Sequence, residues 1–139
     1  MTLEEALAFH TEAFQAVALW TGLSLLLILA LSIRISLRRR RLKVSVGDGG
    51  HAELTSTTRA FGNAIEYIPV ALVALAIVAV FYSAEVVHML GAAFLIGRVL
   101  HAWGMAQATQ PAPGRLIGMI LTYLTFLAAA GLLIFAAWS

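Results

Sequence analysis

Residues 59–69 read RAFGNAIEYIP, a stretch in which strongly polar side chains interrupt an otherwise apolar part of the chain. The four polar residues are Arg59, Asn63, Glu66 and Tyr67. Their spacing of four, three and one residues puts them on one face of a helix, because side chains three and four positions apart are neighbours there. At a rise of about 1.5 Å per residue this face is about 10 to 12 Å long. The stretch therefore predicts a helix with one polar face.

The composition of the whole chain places this helix in a membrane. Of 139 residues, 61% are hydrophobic and only 12% are charged, and the mean hydropathy is +0.92. A typical water-soluble domain carries about twice that share of charge. The length predicts a single domain over residues 1–139, and the composition argues against a soluble multi-domain enzyme, a disordered tail and a nucleic-acid binder. Because the chain has no cysteine, any thiol chemistry must use the thiol of a ligand.

Four apolar runs are candidates for membrane-spanning helices, which need about 20 residues to cross the hydrocarbon core. The runs without a charge cover residues 13–33, 67–84, 86–97 and 116–139. The third run is short, but its apolar pattern resumes after Arg98, so we interpret it as a span with an arginine in its last third. The runs predict an all-α bundle of four helices in which neighbours are antiparallel. We expect the helices at roughly residues 10–37, 58–82, 84–107 and 114–138.

The distribution of cations gives the bundle an orientation. All nine lysines and arginines fall at or near one face: Arg34, Arg38, Arg39, Arg40, Arg41, Lys43, Arg59, Arg98 and Arg115. Because these residue types accumulate on the cytoplasmic side, we expect that face inside the cell and both termini outside. Glu4 and Glu5 stand where a cleavable signal sequence carries positive charge, so we expect the first apolar segment to remain in a multi-pass integral membrane protein.

Glu66 is the residue that the membrane tolerates least. A carboxylate at the centre of the hydrocarbon core costs at least about 2.5 kcal/mol, so an acid there indicates a functional site and requires a partner. The available basic partners are Arg59 and Arg98. The alternative is a structural ion pair that ties helices two and three together, because buried pairs are often retained without a catalytic role.

Helix three and the start of helix four add polar residues at the depth of this stripe. Arg98, His101 and Met105 lie three and four residues apart, so they share one face. A single histidine is more often a packed, hydrogen-bonded residue than a metal ligand, and we expect no metal at His101. Arg115 begins helix four, where the simplest role of an arginine is to anchor the helix at the headgroups. Tyr123 needs no role beyond filling its span.

The sequence around the polar face resembles the MAPEG family, the membrane-associated proteins in eicosanoid and glutathione metabolism. The similar segments are RAFGNAIEYIP at residues 59–69, GDGG at residues 47–50 and GRVLHAWG at residues 97–104. The last two resemble the bacterial branch, and the resemblance covers nearly the whole chain. It implies a homotrimer in a bacterial inner membrane, with active sites between neighbouring subunits near the cytoplasmic face.

The resemblance also implies a set of site residues. The glutathione-binding residues that it implies are Arg38, Arg59, Asn63, Glu66, Tyr67 and Arg98. Arg115 matches the thiol-activating arginine near the start of helix four if the loop at residues 111–114 absorbs an insertion. His101 and Met105 stand where the eicosanoid synthases have tyrosines that contact glutathione, and Phe61 stands where many bacterial members have histidine. These departures argue against eicosanoid substrates more than against glutathione.

The chemistry of glutathione fits these residue types. Glutathione has two carboxylates, one ammonium and a thiol, and arginine binds carboxylates in a bidentate geometry that lysine does not offer. Glu66 suits the ammonium. A nearby cation lowers the pKa of a thiol from about 8.5, so that the nucleophilic thiolate forms at neutral pH. Arg115 would act as a fixed charge. The second candidate is His101, and an ordinary histidine titrates near pH 6.5 and could act as a base.

The sequence therefore predicts a membrane-bound glutathione transferase or peroxidase that conjugates or reduces lipophilic electrophiles, as in detoxification. Its expected partners are glutathione as cosubstrate, membrane lipids, a lipophilic substrate from the bilayer and other copies of the chain, without nucleic acid or metal. The alternative is a non-catalytic lipid-binding or scaffold protein on the same fold. A small four-helix multidrug exporter is disfavoured, because such exporters carry an acid in the middle of helix one and residues 13–33 contain none.

Overall fold

Four long helices make up the part of the protein that the structure describes. A computed structural model describes residues 2–107 and 112–138, apart from the side chain of Ala6. The helices are α1 (Leu3–Leu42), α2 (Ala52–Phe81), α3 (Ala84–Met105) and α4 (Pro113–Trp138), and the described residues contain no strand. Each helix is long and apolar enough to cross a membrane. The prediction of an all-α membrane bundle of four helices is thus confirmed.

The first two helices extend beyond their predicted bounds. α1 already begins at Leu3, because Thr2 and Glu5 form a capping box: each side chain accepts a hydrogen bond from the other residue's backbone N–H, at 3.2 and 2.7 Å. Three arginines in its last turn interact favourably with the negative end of the helix dipole. This interaction stabilises α1 as far as Leu42. A count of uncharged residues misses such ends. The third predicted connection, residues 107–114, lies partly outside the described residues.

The connection between α1 and α2 is a tight turn around Asp48. The carboxylate of Asp48 accepts hydrogen bonds from the backbone N–H of Gly50, at 3.0 Å, and from the hydroxyl of Thr55, at 2.8 Å. These hydrogen bonds lower the pKa of Asp48 below its ordinary value, because they stabilise the charged form. Gly47, Gly49 and Gly50 adopt positive φ, which other residues rarely do. The predicted loop over residues 37–58 therefore shrinks, and α2 begins at its N-cap, His51.

Two apolar clusters fill the bundle, and α3 packs against all three other helices. The first cluster contains Ala13, Ala16, Leu75, Val78, Ala79, Val87, Leu90 and Ala129. The second contains Leu31, Ala64, Ile68, Ala71, Phe94 and Ala102. Tyr67 and Phe126 pack against the second cluster, which therefore supports the polar face of α2.

α3 and α4 approach each other through glycines. A Cβ atom added to Gly118 would lie 2.4 Å from the carbonyl oxygen of Gly97 and 2.5 Å from the backbone nitrogen of His101. A Cβ atom on Gly104 would lie 2.2 Å from the backbone nitrogen of Arg115. Small residues allow such close contact between membrane helices. The contact places the polar residues of α3 directly against α4.

We expect Gly118→Ala to lower the free energy of unfolding by about 1 to 3 kcal/mol, the usual cost of overpacking, because the atoms in the way belong to the backbone of α3. Gly131→Ala on the same helix is the matched control. Apart from the neighbouring backbone of α4 itself, no atom of the described residues lies within 4 Å of a Cβ there, and alanine stabilises a helix by up to about 1 kcal/mol relative to glycine. Reversible unfolding in detergent measures both variants, and equal stability would contradict the close contact.

Candidate functional site

Arg98 is the centre of a buried polar cluster between α2, α3 and α4. It is only 2% exposed. Its guanidinium donates hydrogen bonds to Oδ1 of Asn63, at 2.6 Å, and to Oγ1 of Thr122, at 3.0 Å from Nε and 2.6 Å from Nη2. Nη2 also lies 3.4 Å from the carbonyl oxygen of Gly118 and 3.2 Å from Sδ of Met119. All of these partners are neutral.

The charge of Arg98 has no counterion among the described residues. The ion pair that the described residues contain joins Arg41 to Glu53 and does not involve Arg98. Hydrogen bonds to neutral groups satisfy the donors of a guanidinium but leave its charge uncompensated, and burying an unpaired ion costs several kcal/mol. A cation in this state attracts an anionic ligand, because its field is weakly screened away from water. The cluster is therefore suited to binding negative charge.

Tyr67 lies directly over this cation. The guanidinium carbon of Arg98 is 5.0 Å from the centroid of the Tyr67 ring, within the range of a cation–π interaction. The hydroxyl of Tyr67 is 3.5 Å from the hydroxyl of Tyr123 on α4, and its ring packs against Phe126 at 5.8 Å. The structure thus brings together three of the residues that the family resemblance implies, Asn63, Tyr67 and Arg98.

Arg59 and Glu66 occupy the outer part of the same stripe. Both side chains are exposed on the surface of the single chain. Within the described residues, Glu66 forms no ion pair with Arg59 or Arg98. Arg98 turns inward to Asn63 instead.

Arg38 belongs to a different part of the protein. It donates hydrogen bonds to the carbonyl oxygen of Glu53, at 2.6 Å, and to the hydroxyl of Thr57. It also borders a cavity of about 350 Å³ together with Ser56 and Met105. The structure therefore places the predicted glutathione-binding residues in three parts of the protein. These are a buried cluster around Arg98, an exposed pair on α2 and this arginine at the end of α1.

The two candidates for thiol activation differ in access. His101 is 5% exposed and lies in the contact between α3 and α4. Arg115 lies in the first turn of α4 and is exposed. Of these two residues, Arg115 is the one that can reach a ligand at the surface of the chain.

Sequence reasoning missed the contribution of α4. Thr122 is fully buried and binds Arg98, and Tyr123 meets Tyr67, although the sequence pattern assigns Tyr123 only to filling its span. A hydroxyl in the middle of an apolar helix is a signal that could have pointed to Thr122. No local pattern indicates which helix a residue of α4 faces.

Comparisons with known proteins agree with this architecture. The family model described as MAPEG family matches residues 17–135. Two relatives, each named inner membrane protein YecN, come from Escherichia coli strain K12 and Escherichia coli O6:H1 strain CFT073. Each is 45% identical over 60 residues, which are 42% of this chain and 45% of the relative. The chain therefore spans less than half of the length of the curated relatives that it matches.

Proposed function

The chain belongs to the MAPEG family, and on that premise we propose that it is a membrane-bound glutathione transferase or peroxidase acting on lipophilic electrophiles. The observation that carries the proposal is Arg98, a buried cation that has only neutral partners among the described residues. Bound glutathione would supply the missing negative charge. Its thiolate, formed next to a cation, would then attack the electrophile.

The proposed binding mode gives each charged group of glutathione a partner. Arg38 and Arg59 bind the two carboxylates, for which guanidinium groups have the matching geometry. Glu66 binds the ammonium, while Asn63 and Tyr67 add neutral hydrogen bonds. The protein contributes positioning and charge without a covalent step of its own. The electrophile enters sideways from the bilayer.

Arg115 and Arg98 supply the positive charge near the sulfur in this proposal. Arg115 is exposed at the start of α4, so it can reach the ligand and stabilise the thiolate directly. Arg98 acts from behind Tyr67, since its guanidinium lies 5.0 Å from the ring centroid. Two fixed cations keep the thiolate form available across the working pH range, because arginine does not lose its charge.

We propose further that the protein is a homotrimer with its sites between neighbouring copies. Arg38 does not bind to the cluster around Arg98, and Arg59 and Glu66 lie on the protomer surface. Ions exposed to hydrocarbon are costly, so a neighbouring chain that covers this surface would stabilise them. The proposal of three copies, rather than another number, rests on the family resemblance.

The proposed location is a bacterial inner membrane, which the printed name of the two relatives supports. The termini lie outside, and the site lies near the cytoplasmic face. This orientation rests on the basic ends of α1 and α4, because lysine and arginine accumulate on the cytoplasmic side.

Glu66→Gln should weaken glutathione binding by about 1.5 to 3 kcal/mol, the range for hydrogen bonds to charged groups, because the amide cannot neutralise the ammonium. Isothermal titration calorimetry in detergent measures the affinity, and native mass spectrometry checks that assembly is unchanged. Glu85→Gln is the matched control, an exposed acid in the first turn of α3. Its affinity for glutathione should equal that of the wild type.

Three other results are informative. Unchanged affinity in Glu66→Gln would remove this residue from the site. A loss of thermal stability that is the same with and without glutathione would instead show a structural ion pair between chains. A wild-type protein that binds glutathione but turns over no electrophile or hydroperoxide would favour the non-catalytic lipid-binding alternative.

A further inference from the structure

The hydroxyls of Tyr67 and Tyr123 form a pair at the surface of the bundle. Their oxygen atoms lie 3.5 Å apart, at the outer limit of a hydrogen bond, and the ring centroids are 6.3 Å apart. Tyr67 is half-buried, and Tyr123 is 55% exposed. Both hydroxyls are therefore close enough to approach a single atom of a molecule that lies against α2 and α4.

The surroundings of this pair favour an acceptor that is negatively charged and part of an apolar molecule. Arg98 lies behind the ring of Tyr67 and has only neutral partners among the described residues. On α4, Leu124 and Leu127 next to Tyr123 are 57% and 72% exposed. A lipophilic molecule that packs against these leucines would bring a polar group within reach of the two hydroxyls.

We propose that Tyr123 is a further substrate-contacting residue, whose hydroxyl donates a hydrogen bond to the oxygen atom of the second substrate that becomes negatively charged when the thiolate attacks. The inference rests on the proposed function and narrows its substrate class. The second substrate is an apolar, oxygen-bearing electrophile, and a lipophilic hydroperoxide is the member of this class that the experiment uses. A phenol is suited to this role because it is a neutral donor that remains with the protein throughout the reaction.

The step balances with glutathione as the only co-reactant. The thiolate sulfur attacks the terminal oxygen of the hydroperoxide, so that the sulfur–oxygen bond forms and the oxygen–oxygen bond breaks. The electron pair leaves on the alkoxide oxygen, which accepts the hydrogen bond of Tyr123 and then takes a proton from water. The products are the alcohol and the sulfenic acid of glutathione. A second glutathione converts the sulfenic acid into glutathione disulfide and water, so sulfur is oxidised and the peroxide is reduced.

The test compares Tyr123→Phe with the wild-type protein on two substrates. For cumene hydroperoxide we expect kcat to fall about 10- to 100-fold, the effect of losing one hydrogen bond to a developing charge while Tyr67 remains. For an alkyl iodide we expect kcat within about twofold of wild type. Its leaving group is iodide, so no charge develops on an oxygen atom. Glutathione affinity should not change.

Tyr82→Phe is the matched control. Its hydroxyl donates to the carbonyl oxygen of Leu132, at 2.7 Å, in the part of the bundle around the first apolar cluster. This variant should have the kcat of the wild type on both substrates.

Each possible result decides the assignment. Equal loss of activity on both substrates, or no loss on either, in a Tyr123→Phe protein that still binds glutathione would overturn the role of Tyr123 and leave the proposed function intact. A wild-type protein that turns over neither substrate would overturn the proposed function, and the role of Tyr123 with it.

Discussion

Arg98→Met should weaken glutathione binding at least about 100-fold while leaving the fold as stable as before. Methionine fills a similar volume but removes the positive charge, and losing charged interactions with an anionic ligand is worth on the order of 3 kcal/mol. Replacing buried ionic groups by apolar ones is often neutral or stabilising. Thr122 keeps a partner in the variant, because its hydroxyl also donates to the carbonyl oxygen of Gly118, at 2.8 Å.

The measurement combines calorimetry for affinity with thermal unfolding in the presence and absence of glutathione. Arg34→Met is the control, since Arg34 is a partly buried arginine of α1 that lies outside the cluster. The Arg34→Met variant should bind glutathione with the affinity of the wild type. If Arg98→Met instead loses stability and binds glutathione as the wild type does, Arg98 is a structural anchor between α2, α3 and α4.

Arg115→Ala should lower kcat at pH 7 by about 10- to 30-fold, with a smaller effect on glutathione binding. Without Arg115 only the more distant charge of Arg98, behind Tyr67, remains, so the pKa of the bound thiol rises toward its free value of about 8.5 and less thiolate is present at neutral pH. Because deprotonation restores the nucleophile, activity in the variant should recover as the pH rises past that value. The ultraviolet absorbance of the thiolate, recorded against pH, reports the pKa directly.

His101→Gln is the companion variant to Arg115→Ala. It should mainly weaken binding and keep the thiolate signal, because His101 is buried between α3 and α4. A signal that survives in Arg115→Ala and disappears in His101→Gln would reverse the assignment of the two residues.

The four spans could be predicted because hydrophobicity is a local property of the sequence. The helix ends could not be read from uncharged runs, since the cations at residues 38–41 continue α1 beyond its apolar part. The capping pair Thr2 and Glu5 is a local signal for the start of α1. An analysis of caps in addition to charge would have found it.

The candidate site was only partly predictable. Helical spacing places Asn63, Glu66 and Tyr67 on one broad face, but it does not say which edge of that face packs inward. In the structure, Asn63 and Tyr67 face Arg98, while Glu66 lies on the outer edge and is exposed. Thr122 enters the cluster from α4, and such a contact between distant parts of the chain has no periodic signature.

In the proposed function, the fixed charges of Arg98 and Arg115 hold bound glutathione as a thiolate. This claim is tested most directly by titrating glutathione into the purified wild-type protein at pH 7 and recording the ultraviolet thiolate absorbance, with S-methylglutathione as the control that has no ionisable thiol. We predict a saturable thiolate signal at a pH where free glutathione is almost entirely protonated, and no signal with the control. Glutathione that does not bind, or that binds without a thiolate signal, would contradict the account.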